Sequence, residues 1–339
     1  MKKIKIGSVG LGRLGLQHAK NIASLPNAEL VALCDVNEEC LKKEATALDV
    51  PKTFTDFNAM IADKEIDAVC IASPSALHPQ QVCAALDAGK HVFCEKPLGI
   101  TVEDCRLVEK ACAAHKDLIF QLGFMRRFDD SYAYAKEKID AGHIGKPILF
   151  RSYSQDPEKF IEGAIAFAPH SGGQFFDMAV HDIDLARWMI GDEPAEVWAI
   201  GGCYAHKEFA QYDDGDNVSA LMKFKSGAMG FLFAGRTAPH GYNVETEIIG
   251  TKGTLRIASV PQKNLVEVLG NGGITRECSE NFLERFEKSY LSEMSAFCEA
   301  VISGKPAPRG GTAEDGRRVT EIAFACREAF ISGQLHKIS

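Results

Sequence analysis

The stretch Lys5-Ile-Gly-Ser-Val-Gly10-Leu-Gly12-Arg-Leu-Gly15, with Asp35 twenty positions beyond its last glycine, decides the fold. Ile4, Ile6 and Val9 read as a short buried strand, and Leu14 to Ser24 as a helix. Between them the glycines spell G-x-G-x-x-G. Gly10 permits the tight turn, Gly12 lets the backbone approach a pyrophosphate, and Gly15 lets the helix pack closely on the strand. The backbone N–H groups of Arg13 and Leu14 lie at the helix start, where a phosphate is favoured. The Arg13 side chain either adds a charge contact or points to solvent. Glu29 to Cys34 reads as a second strand that ends at Asp35. A carboxylate there accepts hydrogen bonds from the adenosine ribose hydroxyls and repels a 2′-phosphate. No arginine follows in Val36-Asn37-Glu38. The pattern therefore predicts NAD rather than NADP as cofactor. A glycine-rich turn without a nucleotide is the alternative. The ordered run of strand, helix, strand and acid weighs against it.

Working outward, the first 123 residues alternate in βα fashion. Strands are expected at 4–9, 29–34, 67–72, 90–94 and 118–123, with helices at 14–24, 38–47, 56–62, 78–88 and 102–115. That is a doubly wound parallel sheet, so the fold class is α/β. The pattern changes after residue 123. A helix at 131–141, a strand from Pro147 to Ser154, an irregular stretch at 156–173 and a single helix at 175–190 are expected. Longer alternating strands follow at 195–203, 217–225, 228–236, 243–250, 253–258 and 264–269. These predict an α+β domain with a largely antiparallel open sheet. Two helices, 281–303 and 313–332, close the chain. The expected division is residues 1–123 for the cofactor and 124–339 for substrate and oligomerisation, with the last helix able to pack back on the first domain.

Composition sets outer limits. The chain has 339 residues, 46% apolar and 25% charged, which suits a globular protein of two domains. A net charge of −8 argues against a nucleic-acid partner. No apolar run reaches membrane-spanning length, and Lys5 and the glycines break any secretory leader pattern. There are 11 cysteines, an odd number, with no C-x-x-C pair. They read as buried free thiols in a reducing cytoplasm. The 10 histidines show no H-x-H or H-E-x-x-H spacing, so no metal site is expected.

A second constellation carries chemistry. Glu95-Lys96-Pro97 follows a strand at the carboxyl edge of the sheet, where doubly wound folds bind ligands. Lys96 there reaches a substrate oxygen beside a nicotinamide, or is an ordinary loop lysine. Pro97 fixes the backbone, with a cis peptide as one option. Further on, Asp177 and His181 are four apart and are expected on one helix face. Alcohol oxidation needs a base for the hydroxyl proton, which a neutral histidine suits near pH 7. A lysine ammonium stabilises developing alkoxide, and an aspartate orients the hydroxyl. The competing reading makes Asp177 a helix-start acid and His181 a core histidine. Asp182 and Asp184 read as structural, paired with backbone or Arg187.

With these residues in place, the chain resembles the glucose–fructose oxidoreductase/inositol dehydrogenase/MocA family over essentially its full length. The resemblance rests on Gly10-Leu-Gly-Arg-Leu-Gly15, Ala72-Ser-Pro-Ser-Ala-Leu-His78, Glu95-Lys-Pro97, Asp177-x-x-x-His181-Asp182 and Gly250-Thr-Lys-Gly-Thr-Leu255. It implies a Rossmann domain, NAD, and catalytic roles for Lys96, Asp177 and His181. Ser73, His78, Glu95 and Lys96 would complete the cofactor site. Gly123-Phe-Met-Arg-Arg-Phe-Asp129, Ser154-Gln-Asp-Pro157 and Gly241-Tyr242-Asn are most similar to the inositol 2-dehydrogenase branch. On that resemblance Arg127, Asp156 and Tyr242 would contact substrate hydroxyls, although Arg127 also suits a structural ion pair and Tyr242 an ordinary strand-edge aromatic. The implied reaction is NAD-dependent oxidation of a cyclic polyol to the ketone, myo-inositol first or a stereoisomer such as scyllo-inositol. An aldose dehydrogenase, or a glycosidase that uses NAD without net redox change, stays open; an NAD-responsive regulator is disfavoured. The 158–171 segment departs from the proline-rich segment of myo-inositol enzymes and leaves the stereoisomer undecided; His170 within it reads as a surface or gating residue. An uncovered apolar sheet face calls for a partner, and the family implies a homotetramer through it.

Overall fold

Strand β1 (Ile4–Val9) sits in the middle of a parallel sheet, and its side chains are almost all buried, as a strand covered on both faces requires. The computed structural model describes residues 3–260 and 262–338. From β1 the chain runs through α1 (Arg13–Ser24), β2 (Ala28–Cys34), α2 (Glu38–Ala47), β3 (Lys52–Phe54), α3 (Phe57–Ile61), β4 (Ala68–Ile71), α4 (His78–Asp87), β5 (His91–Glu95), α5 (Val102–Ala114) and β6 (Phe120–Gly123). The strand order is β3-β2-β1-β4-β5-β6, all parallel. The five expected strands form. The sixth, β3, is three residues long, too short to show a period in sequence. Helices α2, α3 and α5 begin on Asn37, Asp56 and Thr101, whose side chains accept from Cys40, Asn58 and Asp104 N–H. Helix α1 begins on Gly12, which has no side chain to do this.

The remaining elements are α6 (Asp130–Asp140), β7 (Pro147–Pro157), α7 (Ile161–Ser171), α8 (Gln174–Asp177), α9 (Val180–Ile190), β8 (Pro194–Gly202), β9 (Asn217–Phe224), β10 (Met229–Ala238), β11 (Asn243–Gly250), β12 (Thr254–Ile257), β13 (Val268–Gly270), β14 (Gly273–Thr275), α10 (Phe282–Ser303), α11 (Ala313–Ser332) and β15 (His336–Lys337). A seven-stranded sheet has the order β12-β11-β7-β10-β9-β8-β15. It is antiparallel apart from the β7–β10 pair. Its strands alternate: Val218, Ala220, Met222 and Phe224 of β9 are buried, while Leu221 and Lys223 are exposed. Helix α9 packs on the β7 region with Ile183, Leu185 and Ala186 buried. The opposite face shows exposed Trp198, Ile200, Leu221 and Met229, with Trp198 paired to Leu221 across the ladder.

By contacts the chain forms two units. Unit one is Met1–Phe128 with Lys288–Thr320, and unit two is Asp129–Glu287 with Glu321–Ser339. The first crossing falls just after Phe286, where α10 is kinked (φ −116°, ψ 20°). Unit one therefore draws Met294, Phe297 and Cys298 into the same core as Ile6, Ile22, Leu33 and Phe93.

Three expectations need correction. The 158–171 segment is not irregular but a short 3₁₀ turn followed by α7. Alanines at 164, 166 and 168 favour helix, Gly172 (φ 74°) stops it, and His170 lies in its last turn. The expected single helix at 175–190 is two, because α8 ends at Asp177 and the chain turns through Met178 and Ala179 before α9. The expected strand at 264–269 is instead the exposed hairpin β13–β14.

Candidate active site

In unit one the glycine turn has the shape its motif demands. Gly10 has φ 81°, and a Cβ there would stand 2.6 Å from the Ala72 carbonyl oxygen. A Cβ on Gly15 would stand 2.0 Å from the Gly10 carbonyl oxygen, so the close packing of α1 on the turn requires glycine. A Cβ on Gly12 meets nothing within 4 Å. The tightness is therefore structural at Gly10 and Gly15, whereas Gly12 borders an open approach to the α1 N-terminus. Arg13 is exposed beside it and Leu14 half-buried. Asp35 ends β2 with Oδ2 accepting from Leu11 N–H (2.7 Å) and Oδ1 from Asn37 N–H (2.8 Å). Each oxygen keeps a further lone pair for a ribose hydroxyl. These residues fit a dinucleotide.

At the end of β5 the tripeptide Glu95-Lys96-Pro97 is held from two sides, with a cis Lys96–Pro97 bond. Glu95 is buried. One of its oxygens meets His18 Nε2 on α1 at 2.6 Å, and the other accepts from the Lys96 N–H at 3.0 Å. His18 is itself fully buried, edge-on to Phe93 and Tyr290. On the far side, His78 faces the Pro97 carbonyl through Nδ1 (2.8 Å) and the Ser73 carbonyl through Nε2 (2.9 Å). Burial lowers the His78 pKa, against the pull of those two carbonyls. A neutral ring donates to one of them. Ser73 Oγ donates to Gln81. Glu95 and His78 thus build the frame from which Lys96 projects. Arg127 is buried in the same unit, 3.3 Å from Asp315 and 5.4 Å over the Phe124 ring.

Unit two assembles a different kind of centre. Asp177, at the end of α8, accepts from Arg236 Nη2 at 2.6 Å. Arg236 Nη1 lies 3.8 Å from Asp156 at the end of β7, and its Nε donates to Gln174 Oε1 at 2.6 Å. Gln174 N–H in turn donates to Asp214 (3.0 Å), and its Nε2 to the Asp216 carbonyl (3.4 Å). Burial works against the Arg236 charge, yet Asp177, Asp156 and Asp214 outweigh it and hold the guanidinium above its usual range. Burial pushes the Asp214 carboxyl up. For Asp216 burial acts the same way, but the N–H groups of Tyr204, His206 and Ala205 prevail and hold it low. His181, the second residue of α9, is buried. The neighbouring Asp182 accepts from Ser154 Oγ at 2.7 Å, which ties α9 to β7; Arg187 pairs with Glu193. Tyr242 is buried at the start of the β11 segment, edge-on to Phe286. A cavity of about 900 Å³ lies nearby in the same unit, lined by Pro157, Ala238, His240, Gly241 and Cys278 among others. None of the predicted substrate residues lines it.

Arg236, Gln174 and Asp214 were not anticipated from the sequence. One signal was present. Arg236 has the same strand parity as buried Leu232, Ala234 and Ala238 of β10, so a charge occupies a core position. Among the described residues no cluster of metal-ligating side chains occurs and no helix is long and apolar enough to cross a membrane. All 11 cysteines are free. Burial pushes several thiols up, Cys34, Cys112, Cys298 and Cys326 to about 12, which leaves them protonated and unreactive.

Residues 4–124 match the NAD-binding Rossmann-fold domain of the GFO/IDH/MocA oxidoreductases, and residues 132–256 match a C-terminal domain of the same proteins. The chain is 36% identical over 327 residues to the myo-inositol 2-dehydrogenase of Thermotoga maritima, covering 96% of each chain. Its fold is similar to that of a Lactobacillus casei scyllo-inositol dehydrogenase solved with bound NAD(H) and scyllo-inositol. That match has a TM-score of 0.96 and 48% identity over 99% of each chain. A Lactobacillus plantarum myo-inositol 2-dehydrogenase superposes equally well, with a TM-score of 0.96 over 100% of each chain, at 37% identity.

Proposed function

This chain belongs to the GFO/IDH/MocA oxidoreductase family, and on that premise we propose that it is an NAD-dependent inositol dehydrogenase with scyllo-inositol ahead of myo-inositol as substrate. The observation that carries this reading is the 48% identity to an enzyme that holds NAD(H) and scyllo-inositol, against 37% to the myo-inositol enzyme of the same fold. Gly10, Gly12, Arg13, Leu14, Gly15, Asp35, Ser73, His78, Glu95 and Lys96 form or frame the cofactor site. The chemistry that bound NAD supplies is acceptance of a hydride from the reacting carbon.

The protein's own residues handle the proton and the charge. We assign His181 as the base that takes the hydroxyl proton, since an imidazole titrates near neutral pH. Lys96 stabilises the developing alkoxide, and Asp177 orients the polyol by accepting from a neighbouring ring hydroxyl, which leaves the reacting proton to His181. In the same reading Asp156 accepts from a second ring hydroxyl. The Asp315 pair and the edge-on Phe286 support structural parts for Arg127 and Tyr242 beside their expected substrate contacts.

The row of exposed apolar side chains on the seven-stranded sheet supports a homotetramer built through that face. The 11 free cysteines support a cytoplasmic setting.

The test is NADH absorbance with NAD or NADP against scyllo-, myo- and D-chiro-inositol and glucose. NAD-dependent turnover strongest with scyllo-inositol is expected. NAD binding without turnover of any inositol would refute the reaction. Sedimentation at micromolar concentration checks the assembly, and a stable monomer would refute the tetramer.

A further inference from the structure

Arg236 is a buried cation that no expected role accounts for. Its side chain is 6% exposed, it rises from the core face of β10, and its backbone N–H donates to the Asp216 carbonyl at 2.9 Å. The guanidinium is used as a fork. Nε goes to the neutral Gln174 amide and Nη2 to Asp177, both at 2.6 Å. Gln174 is tied in both backbone and side chain: its backbone N–H donates to Asp214, and its Nε2 donates to the Asp216 carbonyl and orients the amide. The fork therefore has a fixed seat, and the seat fixes the direction from which Asp177 is gripped.

The charges around it explain why a cation is needed. Asp177 of α8, Asp156 of β7 and Asp214 ahead of β9 all face Arg236, whose guanidinium also lies 5.8 Å from the Phe209 ring centre. Three carboxyl groups about one site do not all stay ionised without compensation. If Arg236 were neutral, a proton would settle on the cluster. A protonated Asp177 donates a hydrogen bond where an ionised one accepts.

We propose that Arg236 is a positioning residue that keeps Asp177 an ionised hydrogen-bond acceptor fixed in direction, so that Asp177 orients the polyol through a neighbouring ring hydroxyl and takes no proton itself, leaving the proton of the reacting hydroxyl to His181. This deepens the reading of Asp177 and His181 given above and rests on it for the identity of the substrate. The grip itself belongs to unit two alone and needs no substrate to be seen.

The experiment uses the full-length protein with Asp carboxyl carbons labelled with ¹³C, and D177N to identify the Asp177 resonance. In R236M without ligand, the Asp177 titration midpoint is expected to move up by about 1–3 pH units relative to wild type. An unchanged midpoint would overturn the proposal. With NAD and scyllo-inositol, R236M is expected to lose about 10–100-fold in kcat with little change in NAD affinity. R236K retains the charge without the fork. It is expected to keep the midpoint near that of wild type yet lose kcat, and it carries the test if R236M fails to fold. A kcat for R236K equal to wild type would overturn the geometric half of the proposal. Wild-type protein that oxidises no inositol would refute the reaction, and the titration would still decide on Arg236.

Discussion

The two halves of the machinery are held by different physics. In unit one, Lys96 projects from a frame of short-range contacts, Glu95 on its own N–H and His78 on the next carbonyl, and the glycine turn is tight at Gly10 and Gly15. In unit two, Asp177 is held by a cation that arrives from a strand 59 residues further on and is steadied by the Gln174 amide, whose Nε2 donates to the Asp216 carbonyl. The first arrangement is set by backbone shape and by buried side chains that bond backbone groups. The second is set by charge balance. A backbone frame fails by losing shape, whereas a charge cluster fails by taking up a proton.

The largest effect that would break this contrast is chemical. Lys96→Ala and His181→Ala are each expected to lower turnover by about 10²–10⁴ with NAD affinity nearly intact. Steady-state rates and fluorescence titration with NAD measure this, and near-normal turnover in His181→Ala would remove it as the base. Next comes shape. Gly15→Ala places a Cβ 2.0 Å from a carbonyl oxygen and is expected to destabilise unit one severely, whereas the Gly12→Ala Cβ meets nothing within 4 Å. Gly12→Ala is therefore expected to melt like wild type yet bind NAD about tenfold more weakly or worse. Equal melting of the two variants would show that the clearance at Gly15 relaxes.

The smallest effect distinguishes the halves by pH. His78 and His91 of unit one have pKa values lowered by burial from the usual 6.5. The unfolded chain then takes up protons that the folded chain resists. Their contribution to stability is full above about pH 6.5 and is lost as pH falls below it. A drop of up to about 1–2 kcal/mol between pH 7.5 and 5.5 is expected in urea melts, with His78→Gln showing a smaller one. A flat profile in wild type would contradict it.

How much of this could be read in advance follows the same division. The glycine turn, Asp35 and Lys96 lie within local patterns, and local patterns survive in one dimension. Asp177 and His181 were expected on one face of a single helix, but they lie on α8 and α9, and the break at Met178 and Ala179 between them was not legible. Helical spacing describes four residues either side of such a turn equally well. Helix α7 was missed because glycine, proline and serine in its run read as loop, while its alanines carried the opposite preference. The Asp156–Gln174–Asp177–Arg236 cluster joins three separate segments; its two acids were named in advance for other roles, and Arg236 left a trace only as a charge at a core position of β10.

Asp35 has a consequence for how cofactor choice can change. The carboxylate that would discriminate against a 2′-phosphate is also the acceptor for the Leu11 N–H inside the glycine turn. Selectivity and loop geometry are therefore inherited together. A replacement that removes the charge and leaves no side-chain oxygen within reach of Leu11 also strips the turn of a half-buried acceptor, so the intermediate loses grip on either dinucleotide. A switch of cofactor along this lineage, natural or engineered, is a two-step path through a weak binder unless a new acceptor for Leu11 arrives first.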